Sequence, residues 1–236
     1  MTEELDAILF DAGGTLIEAI PPRETVFSKI LSRHGKKVEP ERIASFLAKA
    51  DGVFDSEFAK QDGKNDSALW SKYDDFILDE LGFRGDRGNL AKDLSAAWDE
   101  IMPKVESWVS YPETQFVLEI LKGRGFKLGV VSNATDLLRR VFDNLGLTKY
   151  FDFLVISDEV GVRKPSPKIF HLAMEMAGTS PGRSLFVGDK LATDVAGAKR
   201  VGMNAILVDR VNAFPDARCL RERDLNFFRR FARLPP

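Results

Sequence analysis

Asp11 ends the apolar run Ala7-Ile8-Leu9-Phe10 and is followed by Ala12-Gly13-Gly14-Thr15-Leu16. A short apolar run that stops at a glycine-rich turn reads as a buried strand, and a residue at its carboxyl end sits at the rim where open α/β sheets bind ligands. That position suits a nucleophile, although a turn-capping aspartate would give the same local pattern. Three further strand ends finish on polar groups: Ser132-Asn133 after Val130-Val131, Arg163-Lys164-Pro165 ahead of a helix start near Pro167, and Gly188-Asp189 after Val187, with Asp194 five residues on. Singly, each has an ordinary explanation as a turn, a cap or a solvated loop. Parallel strands deliver their carboxyl ends to one edge, so together the four can surround a small anion.

The chemistry of the four groups is complementary. Carboxylates at Asp11, Asp189 and Asp194 crowd together only if a cation neutralises them, and hard oxygen ligands of this kind suit Mg²⁺ with substrate phosphate oxygens. Lys164 would counter the charge of a nucleophile and of a transferring phosphoryl group, and the Ser132 hydroxyl would donate to a phosphoryl oxygen. Metal and lysine together would let an aspartate approach an otherwise repelling dianion.

The elements that must hold these groups follow from periodicity. Residues 17–106 are helical in pattern: Val26, Phe27, Ile30 and Leu31 share a face, as do Ile43, Phe46 and Leu47 after Glu39-Pro40-Glu41. Asn65-Asp66-Ser67 resembles an N-cap before a third helix carrying Leu69, Trp70, Tyr73, Phe76, Ile77 and Leu81, and Leu90, Leu94, Trp98 and Ile101 mark a fourth. From Tyr111 helix and strand alternate: helices at 114–125, 136–145, 167–178 and 194–202, strands at 127–131, 153–156, 184–187 and 205–208. Strict alternation predicts a parallel sheet covered on both faces, joined by the strand at 8–10. The organisation expected is an α/β core of 1–16 and 107–236 interrupted by a helical insertion, 17–106. A terminal helix is expected around Phe227, Phe228 and Phe231, set among Arg218, Arg221, Arg223, Arg229, Arg230 and Arg233.

These motifs, Phe10-Asp11-Ala12-Gly13-Gly14-Thr15-Leu16, Val131-Ser132-Asn133, Lys164-Pro165 and Gly188-Asp189 with Asp194, resemble in order and spacing those of the haloacid dehalogenase superfamily. The position of the insertion resembles the group with a helical cap after the first motif. The resemblance spans about residues 6–209. It implies a Rossmann-like parallel sheet with helices on both faces, a helical cap, and a Mg²⁺-dependent hydrolase acting on a small phosphorylated metabolite. Asp11 would form an aspartyl-phosphate intermediate and also bind the metal. Asp189 and Asp194 would complete the carboxylate set, with the backbone carbonyl of Gly13. Ser132, Asn133, Lys164 and backbone donors around Gly14 and Thr15 would hold the phosphoryl group, and the cap would exclude water.

One position departs from the pattern. Phosphatases of the superfamily carry a second aspartate two residues after the nucleophile, as acid for the leaving alcohol and base for water; here that residue is Gly13. Losing such a group typically costs about 10²- to 10⁴-fold in rate. Three readings follow: a phosphatase for good leaving groups or with an acid borrowed from the cap; a phosphonate-cleaving or dehalogenase-type hydrolase of the same fold; or an impaired metal- and phosphate-binding regulatory protein. Phosphonate cleavage would need a cap lysine, for which Lys36, Lys37 and Lys49 are candidates.

Composition narrows the setting. A net charge of −2 gives no pull toward nucleic acid. The lone Cys219 fits a reducing compartment, and no run approaches the roughly 18 apolar residues of a membrane span. The expectation is a cytoplasmic protein, monomer or homodimer, with no nucleic-acid or membrane partner. Trp70, Tyr73, Trp98, Trp108, His34 and His171 read as structural.

Overall fold

The computed structural model describes residues 5–60 and 67–233. Its centre is β1 (Ala7–Phe10), buried along its whole length in a six-stranded sheet. In chain order the other members are β4 (Lys127–Ser132), β5 (Phe153–Ile156), β6 (Ser184–Gly188), β7 (Asn204–Val208) and β8 (Leu220–Glu222), and every pairing is parallel in the spatial order β5-β4-β1-β6-β7-β8. Alternation along β1 feeds two cores. Ile8 and Phe10 face α5 (Thr114–Gly123) and α6 (Leu137–Asn144), through Val117, Leu118, Leu121, Leu138, Val141 and Phe142. Ala7 and Leu9 face α8 (Pro167–Ala177) and the short α9 (Ala196–Arg200), through Ile169, Phe170, Ala173 and Ala198. A strand buried on both faces has no polar side to show, which is why its sequence reads as a continuous apolar run.

The 17–106 stretch forms four helices: α1 (Arg23–Arg33), α2 (Pro40–Lys60), α3 (Ser67–Glu80) and α4 (Arg87–Ile101). They bury a cluster of their own, with Phe27, Leu31, Ile43, Ile77 and Leu90 inside. Tyr73 belongs to that cluster and Trp98 packs against it, whereas Trp70 is half exposed beside Tyr73. His34 pairs with Asp93 at 2.9 Å. Of the N-cap expected for α3, Asn65 and Asp66 lie outside the described residues. A two-stranded antiparallel ribbon, β2 (Ile17–Ala19) with β3 (Trp108–Ser110), ties the two crossings between helices and sheet.

Several elements differ from the periodicity reading. The ribbon strands are three residues each, too short for alternation to register. The helix expected from Asp194 begins instead with a π-helical turn, Leu191–Val195, before α9, a local widening that often accompanies functional sites. A further short helix, α7 (Ser157–Val160), follows β5 and ends at Gly161, whose φ of 66° suits glycine. The C-terminal aromatic stretch is a 3₁₀ helix, Leu225–Arg233, not an α-helix. Phe228 is fully buried there, while the side chain of Phe231 lies outside the described residues. Its neighbouring arginines serve the chain itself: Arg221 pairs with Asp209 at 2.8 Å, and Arg229 and Arg230 lie over the rings of Phe116 and Phe227. No helix among the described residues is long and apolar enough to cross a membrane.

Phe228 packs edge-on against Phe10, the residue before Asp11, with ring centroids 6.1 Å apart. Phe228→Ala is expected to cost about 3–5 kcal/mol, the usual range for emptying a buried aromatic site, read as a lowered midpoint in chemical denaturation.

Candidate active site

The register of the sheet gathers the site. Phe10 is level with Val130 on one side and Val187 on the other, so Asp11, the end of β4 and the end of β6 emerge side by side. The Asp11 N–H donates to the Val187 carbonyl at 2.9 Å, fixing where its side chain starts. Its Oδ1 lies 2.6 Å from Lys164 Nζ, and the same ammonium lies 2.6 Å from Asp194 Oδ1. Lys164 is 2 % exposed. Burial works against its charge, but the carboxylates of Asp11 and Asp194 outweigh burial and hold the ammonium above its ordinary range.

Lys164 is aimed by its backbone. Asn133 Nδ2 donates to the Lys164 carbonyl at 2.9 Å, and Asn133 Oδ1 accepts the Lys164 N–H at 2.8 Å. Both ends of that amide are therefore taken. The Asn133 side chain, expected at a phosphoryl group, instead positions the Lys164 backbone. Ser132, at the end of β4, is buried beside it.

Asp194 is completely buried on the π-helical turn, where its Oδ2 accepts the Lys190 N–H at 3.0 Å. Gly188 makes room for it, since a Cβ there would collide with the Asp194 carboxyl. Asp189 packs as closely against Gly14, whose φ of +77° and lack of a side chain are both required. Asp189 Oδ2 lies 3.7 Å from Lys190 Nζ, while its Oδ1 is buried with no hydrogen-bond partner among the described residues. Burial, then the nearby charges of Asp11 and Asp194, push the Asp189 carboxyl upward against the pull of Lys190. Burial also raises Asp194, against Lys164. Asp11, Asp189 and Asp194 each present a carboxylate oxygen within 4.8 Å of the others. An orphaned oxygen and three converging carboxylates could hold a hard divalent cation.

The turn after Asp11 is held from outside. The Ala12 carbonyl accepts from Thr15, Leu16 and Ile17, and the Leu16 carbonyl accepts from Tyr111 N–H and the Thr114 hydroxyl. Arg210 donates to the Gly14 carbonyl at 3.1 Å and the Thr15 carbonyl at 2.8 Å, while pairing with Glu113 at 2.8 Å and stacking over Tyr111. Of this turn's carbonyls that of Gly13 alone is left without a partner among the described residues, as an expected metal ligand would be. Gly14 N–H is spent on Ile17 and Thr15 N–H on Ala12, whereas the Ala12 and Gly13 amides have no partner among the described residues. The Thr15 hydroxyl is buried, also without a partner among the described residues. Arg210 was invisible to sequence reasoning, because a lone arginine after a strand carries no motif.

The helical unit closes over this edge through α2. Asp51 takes the Lys190 ammonium and, within the helical unit, Arg23 at 2.9 Å and the Tyr73 hydroxyl at 2.6 Å. One turn along, Asp55 Oδ2 accepts the Thr193 N–H at 2.8 Å. Burial disfavours the Asp51 carboxylate, but Arg23 and Lys190 outweigh it and hold its pKa low. A cleft of about 270 Å³ remains beside Gly14 and Asp189, lined by Glu18 and Glu24 with Arg23, Tyr111, Arg210 and Phe214 among its walls.

Comparison with known proteins gives the family. The profile of the haloacid dehalogenase-like hydrolases matches residues 5–202. The chain belongs to this hydrolase family. A phosphoserine phosphatase of Thermus thermophilus is 29 % identical over 226 residues, covering 86 % of this chain and 88 % of that protein. A glyceraldehyde 3-phosphate phosphatase of Methanothermobacter thermautotrophicus is 42 % identical over 100 residues, 42 % of this chain and under half, 44 %, of its own length. Among solved structures, the L-2-haloacid dehalogenase of Xanthobacter autotrophicus shares the fold, with a TM-score of 0.60 and 23 % identity over 98 % of this chain and all of that one.

The carboxylate cluster has a pH signature. Asp189 and Asp194 are raised above their unfolded values, so the folded metal-free chain binds more protons than the unfolded one above about pH 4. Its stability should therefore fall as pH rises from about 4 toward neutrality. Added Mg²⁺ should raise the melting temperature most at the upper end of that window, in thermal scans with and without chelator.

Proposed function

We propose that this hydrolase is a Mg²⁺-dependent phosphatase of small phosphorylated metabolites, with Asp11 as nucleophile. The observation that carries the reading is Lys164 bridging Asp11 and Asp194 at 2.6 Å, with the carboxylate of Asp189 converging on them. In this reading residues 1–16 and 107–236 are the core, 17–106 the cap, and the β2–β3 ribbon the joint between them. An Asp11 oxygen attacks phosphorus and the ester oxygen leaves, giving an aspartyl phosphate that water then cleaves. Lys164 offsets the charge gathered on Asp11 and the phosphoryl group, and the Ser132 hydroxyl with the Ala12 and Gly13 N–H groups donates to phosphoryl oxygens. Mg²⁺ held by Asp11, Asp189, Asp194 and the Gly13 carbonyl would supply electrostatic stabilisation of the transferring group.

The names of the similar phosphatases support small phosphorylated substrates. The other readings have less behind them. Displacement of halide needs no metal and leaves the Asp189 and Asp194 cluster without a use. Phosphonate cleavage needs a cap lysine at the site, whereas Lys36 donates to the Gly82 carbonyl and Lys49 sits over the Phe46 ring. A pure binding role gives a buried, lysine-paired Asp11 nothing to do.

The wild type is expected to release phosphate from p-nitrophenyl phosphate with Mg²⁺, to lose that activity with chelator, and to fall by at least about 10³-fold as Asp11→Asn. Metal-independent halide release from a 2-haloacid would instead place the chain with the dehalogenases.

A further inference from the structure

Gly13 leaves the phosphatase reading without its proton donor, and the cap offers one. A Cβ at Gly13 would meet no atom within 4 Å, so open space lies where the superfamily's acid would stand. Asp51 and Asp55 lie four residues apart on α2 and therefore on one face, which meets the 190–193 loop. Asp51 is committed: Lys190, Arg23 and Tyr73 hold it as a carboxylate. Asp55 is differently placed. It is anchored by the N–H of Thr193, the residue before Asp194, and Asp194 in turn touches Lys164, the lysine that touches Asp11.

We propose that Asp55, a cap residue, is the general acid and base that Gly13 does not provide. The inference rests on the phosphatase reading. As Asp11 attacks, the Asp55 carboxyl gives its proton to the ester oxygen while the phosphorus–oxygen bond breaks, releasing an alcohol and leaving an aspartyl phosphate. The Asp55 carboxylate then takes a proton from the water that attacks phosphorus. The bond to Asp11 breaks, phosphate departs, and both side chains return to their starting forms.

The surroundings of Asp55 suit a donor. Burial pushes its carboxyl upward, toward the protonated form, and prevails over the Thr193 hydrogen bonds and the ammonium groups of Lys190 and Lys164. Glu18 is the competing carboxyl. It too is raised, by burial and then by Glu24, and it lines the cleft beside Gly14. Its charged neighbours are Glu24, Arg210 and Glu113, whereas Asp55 is tied directly to the residue before Asp194.

Leaving-group dependence separates a proton donor from a structural anchor. With Mg²⁺, kcat is measured on p-nitrophenyl phosphate, whose phenolate leaves unaided, and on glycerol 1-phosphate, whose alkoxide does not. Asp55→Asn keeps an oxygen for the Thr193 N–H. It is expected to lower turnover of the alkyl ester by about 10²- to 10⁴-fold and of the aryl ester by only a few-fold. Adding Gly13→Asp to Asp55→Asn should recover the alkyl ester selectively. Equal losses on both esters would make Asp55 an anchor of the cap and overturn the assignment, as would a leaving-group-dependent loss in Glu18→Gln with none in Asp55→Asn. A wild type that releases phosphate from neither ester would instead remove the phosphatase reading, and this inference with it.

Discussion

Lys164 is the residue on which the site's electrostatics turn. One buried ammonium sits against the carboxylates of Asp11 and Asp194, with a third carboxylate, Asp189, close by. A second ammonium, Lys190, lies 3.7 Å from Asp189 but is shared with Asp51, so positive charge stays short, and an uncompensated buried charge costs several kcal/mol. A divalent cation would supply what is missing. The arrangement is thus poorly balanced as a piece of structure and suits a bound cation. Its neighbours are built to preserve it: Asn133 grips the Lys164 backbone, Gly188 clears space for Asp194, and Gly14 clears space for Asp189.

Such crowding needs a rigid frame. The parallel sheet gives one, because β1 is buried on both faces and locked in register between β4 and β6. The turn beyond Asp11 is fixed from three directions: by its own hydrogen bonds, by Thr114 and Tyr111, and by Arg210. Loose phosphoryl-transfer transition states leave the protein mainly positioning and charge stabilisation to provide, so rigidity here translates into rate. Set on this frame from the side is α2, which holds Lys190 and the start of the π-helical turn through Asp51 and Asp55.

What the sequence made legible follows from how far each signal reaches along the chain. The order of strand ends, and with it Asp11, Ser132, Lys164, Asp189 and Asp194, could be read because each motif is local and the parallel fold brings the motifs together. Buried strands announced themselves as apolar runs, and the cap helices by their spacing. The β2–β3 ribbon did not, since its two three-residue strands are about ninety residues apart. The backbone contacts of Arg210 and Asn133 were not legible, because contacts to backbone atoms of distant residues leave no residue-type pattern. Which amides of the Asp11 turn stay unpaired depends on its three-dimensional closure, which no residue type announces.

Gly13 shows how a missing side chain can be informative. In a turn where the neighbouring carbonyls of Ala12, Gly14, Thr15 and Leu16 are all engaged, its own carbonyl has no partner among the described residues, so a ligand oxygen would remain there without a carboxyl. What is lost is proton transfer, and proton transfer can come from any group that reaches the leaving oxygen. A donor on the core would be present whether the cap is open or closed. A donor on α2 is present only when the cap grips the 190–193 loop, which is also when water is excluded. Moving the acid from the Asp11 turn to the cap would therefore tie bond cleavage to closure, and a substrate too large to let α2 settle would meet a nucleophile without its acid.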